Sequence, residues 1–329
     1  DVILLYVEAF GHPRRFARIA RRIARRKPIV AVKSGRTAAG ARAASSHTGS
    51  LASLDVAVDA LFHQAGVIRT TTLAELFDVT TLLSNQPLPA GRRVGVLTNA
   101  GGPGILAVDA LESQGLEVVE FSAELQEELR SHLAPDASVH NPVDMIASAG
   151  PDQYRACLDL LLASEEIDTV FTIFIPASPE GERATAAVIR DAGVARDGDK
   201  TMIIAYMSAE GAPDELSSDA ARIPNFPFPE QAARALVKAV EYAEWRARPE
   251  GTVIDFGDVD TAASRAVVAQ ALERMDADGG WLEPSEVDAV LSAYGLALAQ
   301  SRVAATEDEA VAVAAAIGGP VVLLSLIHI

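Results

Sequence analysis

The chain has one cysteine, Cys157, in 329 residues, so no disulfide framework within it can hold the fold together. Cys157 falls in the spacing Tyr154, Cys157, Leu158, Leu161, which is one face of a helix, and there a lone thiol serves as a small core residue. Histidines are few and scattered, at 12, 47, 63, 132, 140 and 328, and no Cys or His cluster has metal-ligand spacing. Basic residues are in short supply, 28 Lys and Arg against 45 Asp and Glu, and the formal charge of −17 argues against a nucleic-acid binder. No run approaches about 18 consecutive apolar residues, which argues against a membrane span, and no signal-peptide pattern opens the sequence at Asp1. The expectation is a soluble, cytoplasmic protein.

What is present is core. Apolar residues make up 49% and charged residues 22%, which excludes disorder, and the length suggests about two domains. Strand and helix patterns alternate. Residues 2–7 and 29–32 read as buried strands, and 13–26, 53–65 and 73–83 as helices, before a Pro- and Gly-containing linker at 86–91. A second series follows, with strands at 93–98, 116–121, 168–175 and 202–206 and helices at 105–114, 153–163, 180–192 and 229–245. Such alternation implies parallel sheets covered by helices, here two doubly wound α/β units in tandem. The pattern opens mid-course, so further strands are expected ahead of it. Along the first helix and one residue past it, Arg14, Arg15, Arg18, Arg21, Arg22, Arg25, Arg26 and Lys27 form a basic run interleaved with Phe16, Ile19, Ala20 and Ile23. The simplest reading is the solvated face of an amphipathic helix; a contact with another domain or with a nucleotide phosphate is the alternative.

The segment after the second strand is chemically distinctive. Gly35, Gly40 and Gly49, with Ala38, Ala39, Ala41, Ala43 and Ala44 between them, make a small-residue loop whose backbone can approach a ligand closely and present N–H groups to an anion. The loop holds up His47, whose imidazole is a nucleophile near neutral pH. Together they suggest a histidine that carries phosphate.

Lys33, Ser34, Gly35, Arg36, Gly40 and the run from Ala44 through Ser46, His47, Thr48 and Gly49 to Ala52 resemble the phosphohistidine loop of the NDP-forming acyl-CoA synthetases, relatives of succinyl-CoA synthetase. The resemblance implies an acid–CoA ligase. Acyl-CoA and phosphate would give an acyl phosphate, the phosphoryl group would pass to His47, and a mobile loop would deliver it to ADP. It places Glu8, in the run from Leu5, as the carboxylate that orients the histidine; such an acceptor on the far ring nitrogen fixes the tautomer and raises basicity. Ser46, Thr48 and Gly49 would line the phosphate.

Asn99, Gly101, Gly102 and Gly104 join a strand to a helix. In the family a helix N-terminus at this place points its amides and dipole at the phosphohistidine. Residues 102–107 also satisfy a G-x-G-x-x-A dinucleotide fingerprint, with Glu120 where a ribose-binding acid would sit, so an NAD-dependent oxidoreductase is the rival reading. Pro103 counts against it by removing one N–H from the cradle. A purely structural turn also remains open. Asn141, Pro142, Val143 and Asp144 resemble a family element near the active site, with Asp144 a weaker candidate.

The domains expected are a succinyl-CoA-synthetase-like flavodoxin domain at 1–88, a second CoA-ligase-like flavodoxin domain at 92–247, a connector at 248–281 with a helix at 262–275, and the beginning of an ATP-grasp domain at 282–323. In the last, a helix at 306–317 leads to a strand starting at Gly319, where Leu324 stands in place of the family's lysine. Residues 324–329 resemble the translation of a sequencing adapter and are expected to be a non-native tail. A CoA-binding domain is expected ahead of Asp1 and most of the ATP-grasp domain after this segment, so the chain alone should not turn over. The implied ligands are CoA, ATP or ADP and Mg²⁺, the metal held outside this chain, and the implied partners are a small carboxylic acid or acyl-CoA, phosphate and nucleotide, with a homo-oligomer allowed. Some members fuse this scaffold to a protein acetyltransferase as a regulatory part, often without the histidine; the presence of His47 favours the ligase.

Overall fold

In the computed structural model the described residues are all except 9, 37–54, 177–178, 196–199, 217–222, 253, 276–278 and 325–329. The chain divides into two compact units, Asp1–Pro249 and Glu250–Ile329.

The first unit is built on two parallel sheets. β1 (Ile3–Val7), β2 (Ile29–Lys33) and β3 (Val67–Thr70) pair in the order β1-β2-β3, with Val7 opposite Lys33. Both sides of β2 are buried, as its apolar run from Ile29 to Val32 requires. Ile29 and Ala31 face α1 (Pro13–Ala24) and α2 (Asp55–Ala65), packing with Ala20, Ala24, Val58 and Phe62. Val30 and Val32 face the other way, toward Leu76, Val79 and Leu82 of α3 (Leu73–Asn85). The exposed arginines of α1 decorate its outer face, as expected for an amphipathic helix.

The second sheet has the order β5-β4-β6-β7-β8, from β4 (Val94–Thr98), β5 (Val143–Asp144), β6 (Thr169–Phe174), β7 (Thr201–Tyr206) and β8 (Asn225–Phe226). One face carries α5 (Ala123–Arg130), α6 (Pro151–Ala163) and α7 (Pro179–Ala195), and Cys157 is fully buried there beside Leu158 and Leu161. The other face is covered by α4 (Gly101–Glu112) and α8 (Pro229–Ala247). Ala232, Ala233, Ala235 and Ala239 let α8 pack closely against several neighbours, and one continuous core joins α3 and the first sheet to α4, α8 and the second. Trp245 of α8 lies so close to Gly66, which has φ of 71°, that a Cβ there would fall 2.3 Å from the ring. The Arg25 guanidinium stacks 4.6 Å from the same ring, and the Tyr242 hydroxyl donates to the Ala24 carbonyl at 2.6 Å.

The expected strand at 116–121 is not one. Glu117 alone bridges to Arg93, and beyond it the Asn141 amide fills the gap. Its oxygen accepts from the Val96 N–H at 2.9 Å, and its nitrogen donates to the carbonyls of Val94 and Val119 at 2.8 and 2.9 Å. A side chain thus takes ladder positions that a neighbouring backbone would occupy.

In the second unit, α9 (Thr261–Arg274) and α10 (Pro284–Ala293) are tied by the Asp260 N–H, which donates to the Ala293 carbonyl at 2.8 Å, and α11 (Glu307–Ile317) ends at Gly318 with φ of 74°. The Asp260 carboxylate caps α9 and the Thr306 hydroxyl caps α11. The strand expected to start at Gly319 does not form. Among the described residues this unit has no strand to pair with it, and Val322 and Leu323 are both 83% exposed.

Candidate functional site

Glycine-rich exits from parallel strands put chemistry at the strands' carboxyl ends, and both sheets have such an edge. At the first, the Ser34 N–H donates to the Val7 carbonyl at 3.0 Å, which sets the exit of β2 beside the exit of β1 and beside Glu8. Gly35 follows with φ of 70°, a left-handed turn that glycine takes without strain. Glu8 is exposed there. His47, Ser46, Thr48 and Gly49 lie outside the described residues. Lys33, the last residue of β2, is 4% exposed, and its ammonium donates to the Ser34 carbonyl at 2.7 Å.

At the second sheet the edge is a topological switch. α4 leaves β4 on one face and α6 leaves β5 on the other, the kind of reversal that places ligand sites outside the carboxyl ends of strands. Gly101 and Asp144 meet at the ends of β4 and β5, while Asn99 turns toward β6. A Cβ at Gly101 would sit 2.8 Å from Asp144 Oδ2, so glycine is what admits the carboxylate to the start of α4. The Gly104 N–H makes the first intrahelical bond, to the Ala100 carbonyl at 3.2 Å, and the amides of Gly101 and Gly102 precede it. Gly102 has nothing within 4 Å of a built Cβ, which leaves it open to an incoming group. Gly104 is buried, with Thr98 Cγ2 3.0 Å from a built Cβ, and serves helix-to-strand packing. Asn99 is 3% exposed and spends its amide on one partner, donating to the Ile175 carbonyl at 2.8 Å and accepting from the Ile175 N–H at 3.0 Å. It fixes the ends of β4 and β6 together.

Asp144 Oδ1 accepts from the Ile146 N–H at 3.0 Å, and Ile146 has φ of 62°, a conformation a β-branched residue adopts only at a cost. The positive end of α4 is therefore already faced by one carboxylate. Ile105 and Leu106 are 61% and 52% exposed on the first turns of α4. On the far side of the sheet, burial and a hydrogen bond to Glu182 push the Tyr206 phenol well above its ordinary range, and burial pushes the Cys157 thiol up to about 12. Neither is a nucleophile at neutral pH.

The dinucleotide reading needs an acid at the end of a second strand. That strand is absent, and Glu120 instead takes the His140 ring nitrogen at 2.6 Å and the Gln126 amide at 3.0 Å. Sequence reasoning missed the burial of Lys33, the splice made by Asn141 and the strained Ile146. Only Asn141 stood out in the sequence, within the run 141–144 that resembles a family element, and nothing there marks its amide as a strand partner.

Residues 1–83 match the succinyl-CoA ligase like flavodoxin domain, 94–238 the Ligase-CoA domain and 273–326 an ATP-grasp domain. The chain is 35% identical over 325 residues to acetate–CoA ligase [ADP-forming] I of Archaeoglobus fulgidus, covering 98% of this chain and 45% of that protein. Domain for domain, the chain matches the ADP-forming acyl-CoA ligases. It is 32% identical to 4-hydroxybutyrate–CoA ligase [ADP-forming] of Nitrosopumilus maritimus, over 98% of this chain and 46% of that one. A solved structure, the dinucleotide forming acetyl-coenzyme A synthetase 1 of Ca. Korarchaeum cryptofilum in complex with phosphate and ADP, superposes with a TM-score of 0.68 at 30% identity, covering 75% of this chain and 54% of that one. The chain spans about half the length of the curated relatives it matches. No helix among the described residues is long and apolar enough to cross a membrane.

Proposed function

We propose that this chain carries the phosphohistidine-bearing part of an ADP-forming acid–CoA ligase. Phosphate displaces CoA from an acyl-CoA to give an acyl phosphate and free thiol. His47 then attacks the phosphorus, the carboxylate leaves, and the phosphohistidine passes its phosphoryl group to ADP, restoring the imidazole and giving ATP. Glu8 accepts the far ring N–H and balances the positive charge that develops on the ring. Ser46, Thr48 and Gly49 line the phosphate, and the open amides of Gly101 and Gly102 and the dipole of α4 face it, with Asn99 holding that turn in place. Asp144, beside Gly101, keeps that edge polar.

The observation that supports this reading most is the placement of the His47 loop's root. It leaves β2 at the carboxyl edge beside Glu8, inside the segment that matches the succinyl-CoA ligase like domain. Residues 1–88 and 92–247 would be the two flavodoxin-like domains, 248–281 the connector and 282–323 the start of the ATP-grasp domain. The relatives named act on acetate and on 4-hydroxybutyrate, so the acid here is a small carboxylate of a class, with CoA and a nucleoside diphosphate as co-substrates. Mg²⁺ would accompany the nucleotide. Among the described residues no group of three or more His, Cys, Asp or Glu could hold it, and no step here runs through it. The setting proposed is the cytoplasm.

The test is to incubate the full-length protein with ATP labelled at the γ-phosphate. An acid-labile, base-stable label that His47→Asn abolishes is the expected result; no label on the wild type would refute the reading.

A further inference from the structure

Residues 9–54 contain eleven of the chain's 28 Lys and Arg and not one Asp or Glu, in a protein with a formal charge of −17. The acid-free stretch runs from Glu8 to Asp55 and encloses His47. Within it one cation stands apart. Lys33 is the only buried Lys, Arg, Asp or Glu among the described residues. It lies on the α1 and α2 face of β2, in phase with Ile29 and Ala31, at the carboxyl edge from which the His47 loop departs. One of its three N–H donors goes to the Ser34 carbonyl, and among the described residues no carboxylate pairs with it. Residues 9–54 have none to offer, and Glu8, exposed at the same edge, does not pair with it.

A buried ammonium with unused donors and no counter-charge is costly, and such groups persist where an anion arrives to complete them. We propose that Lys33 is the charge partner of the phosphoryl group handled at His47, donating to the non-bridging oxygens of orthophosphate, acyl phosphate and phosphohistidine alike. No bond forms or breaks at Lys33; it binds and positions. This rests on the phosphohistidine reading only in naming the group that Lys33 meets, because orthophosphate alone suffices to detect the site. A compact ammonium suits the role, since it can follow a tetrahedral group that changes its covalent partner.

The probe is orthophosphate against chloride at equal ionic strength, with the melting temperature of the full chain and phosphorus NMR line broadening as readouts. Wild type and Lys33→Arg should gain melting temperature from phosphate while Lys33→Met does not, and the Kd for phosphate should rise at least about tenfold in Lys33→Met, the loss expected for one charge-assisted hydrogen bond. Stabilisation by phosphate's exclusion from protein surface is common to all variants and drops out of the comparison. If Lys33→Met fails to fold, Lys33→Gln carries the same comparison. An equal gain in wild type and Lys33→Met overturns the proposal, as does no gain in the wild type. His47→Asn separates the two readings. A Lys33-dependent gain that survives in His47→Asn, in a protein that never labels from ATP, sinks the phosphohistidine and keeps Lys33; label at His47 with a gain indifferent to Lys33 does the reverse.

Discussion

Replacing Asn141 by Ala removes three hydrogen bonds at once and leaves the Val96 N–H and the Val94 and Val119 carbonyls facing a gap that no strand fills. Each lost bond has a modest net value, but stranded backbone groups cost more, so a loss of about 2–4 kcal/mol is expected. Urea unfolding should show it as a lower midpoint at unchanged slope. The glycines at the start of α4 divide differently. Gly101→Ala drives a methyl into Asp144 Oδ2, so it should displace that carboxylate and depress phosphorylation of the full-length protein. Gly102→Ala meets nothing within 4 Å and should leave stability within about 0.5 kcal/mol or raise it, as Gly to Ala does in an open helical position. Equal stability losses in both variants would contradict this division.

Among the elements, legibility followed burial. β2, β4, β6 and β7 are covered on both faces, so their sequences are mostly apolar, broken only by threonines and the terminal Lys33, and can be read directly. β5 and β8 have two residues each and give no period to read, and 116–121 looked like a strand because it is apolar, while its partner turned out to be the Asn141 side chain. Lys33 could not be ranked from sequence, since nothing local says that a terminal strand lysine is buried. The staple between the starts of β4 and β6 is a related case. Burial alone would push the Asp168 carboxyl up, but the hydrogen bonds and charge of Arg93 outweigh it and hold the group below its ordinary value. A carboxyl with a depressed folded pKa contributes stability above its unfolded value of about 3.9 and loses that contribution as pH falls through the folded one. The gap in stability between wild type and Asp168→Asn should therefore be constant from neutral pH down to about 5 and close as the pH falls below about 4. A gap independent of pH would show that the ion pair is not its source.

For the first unit as a whole, the matched family segments end at 83 and resume at 94, which suggests two separable bodies, but the core does not stop there. Val30, Val32 and Ile68 of one sheet and Val96, Phe171 and Ile203 of the other belong to one apolar cluster, with α8 running through it. The end of α8 is then fastened to the first sheet's layer by Trp245 over Gly66, by Tyr242 on Ala24, and by Arg25, which donates to the Arg246 carbonyl at 2.7 Å. A shared core denies either half a folded state of its own, so residues 1–249 should melt in one transition with equal calorimetric and van't Hoff enthalpies. The fastening is open to a single change. Gly66→Ala puts a Cβ 2.3 Å from the Trp245 ring at a backbone with φ of 71°, which should cost about 2–3 kcal/mol by overpacking and strain together. If the core is one, that loss lowers the single melting temperature and speeds the slowest hydrogen exchange in both sheets alike. Two resolved transitions, with only residues 1–88 destabilised, would instead show that each sheet folds as a separate body.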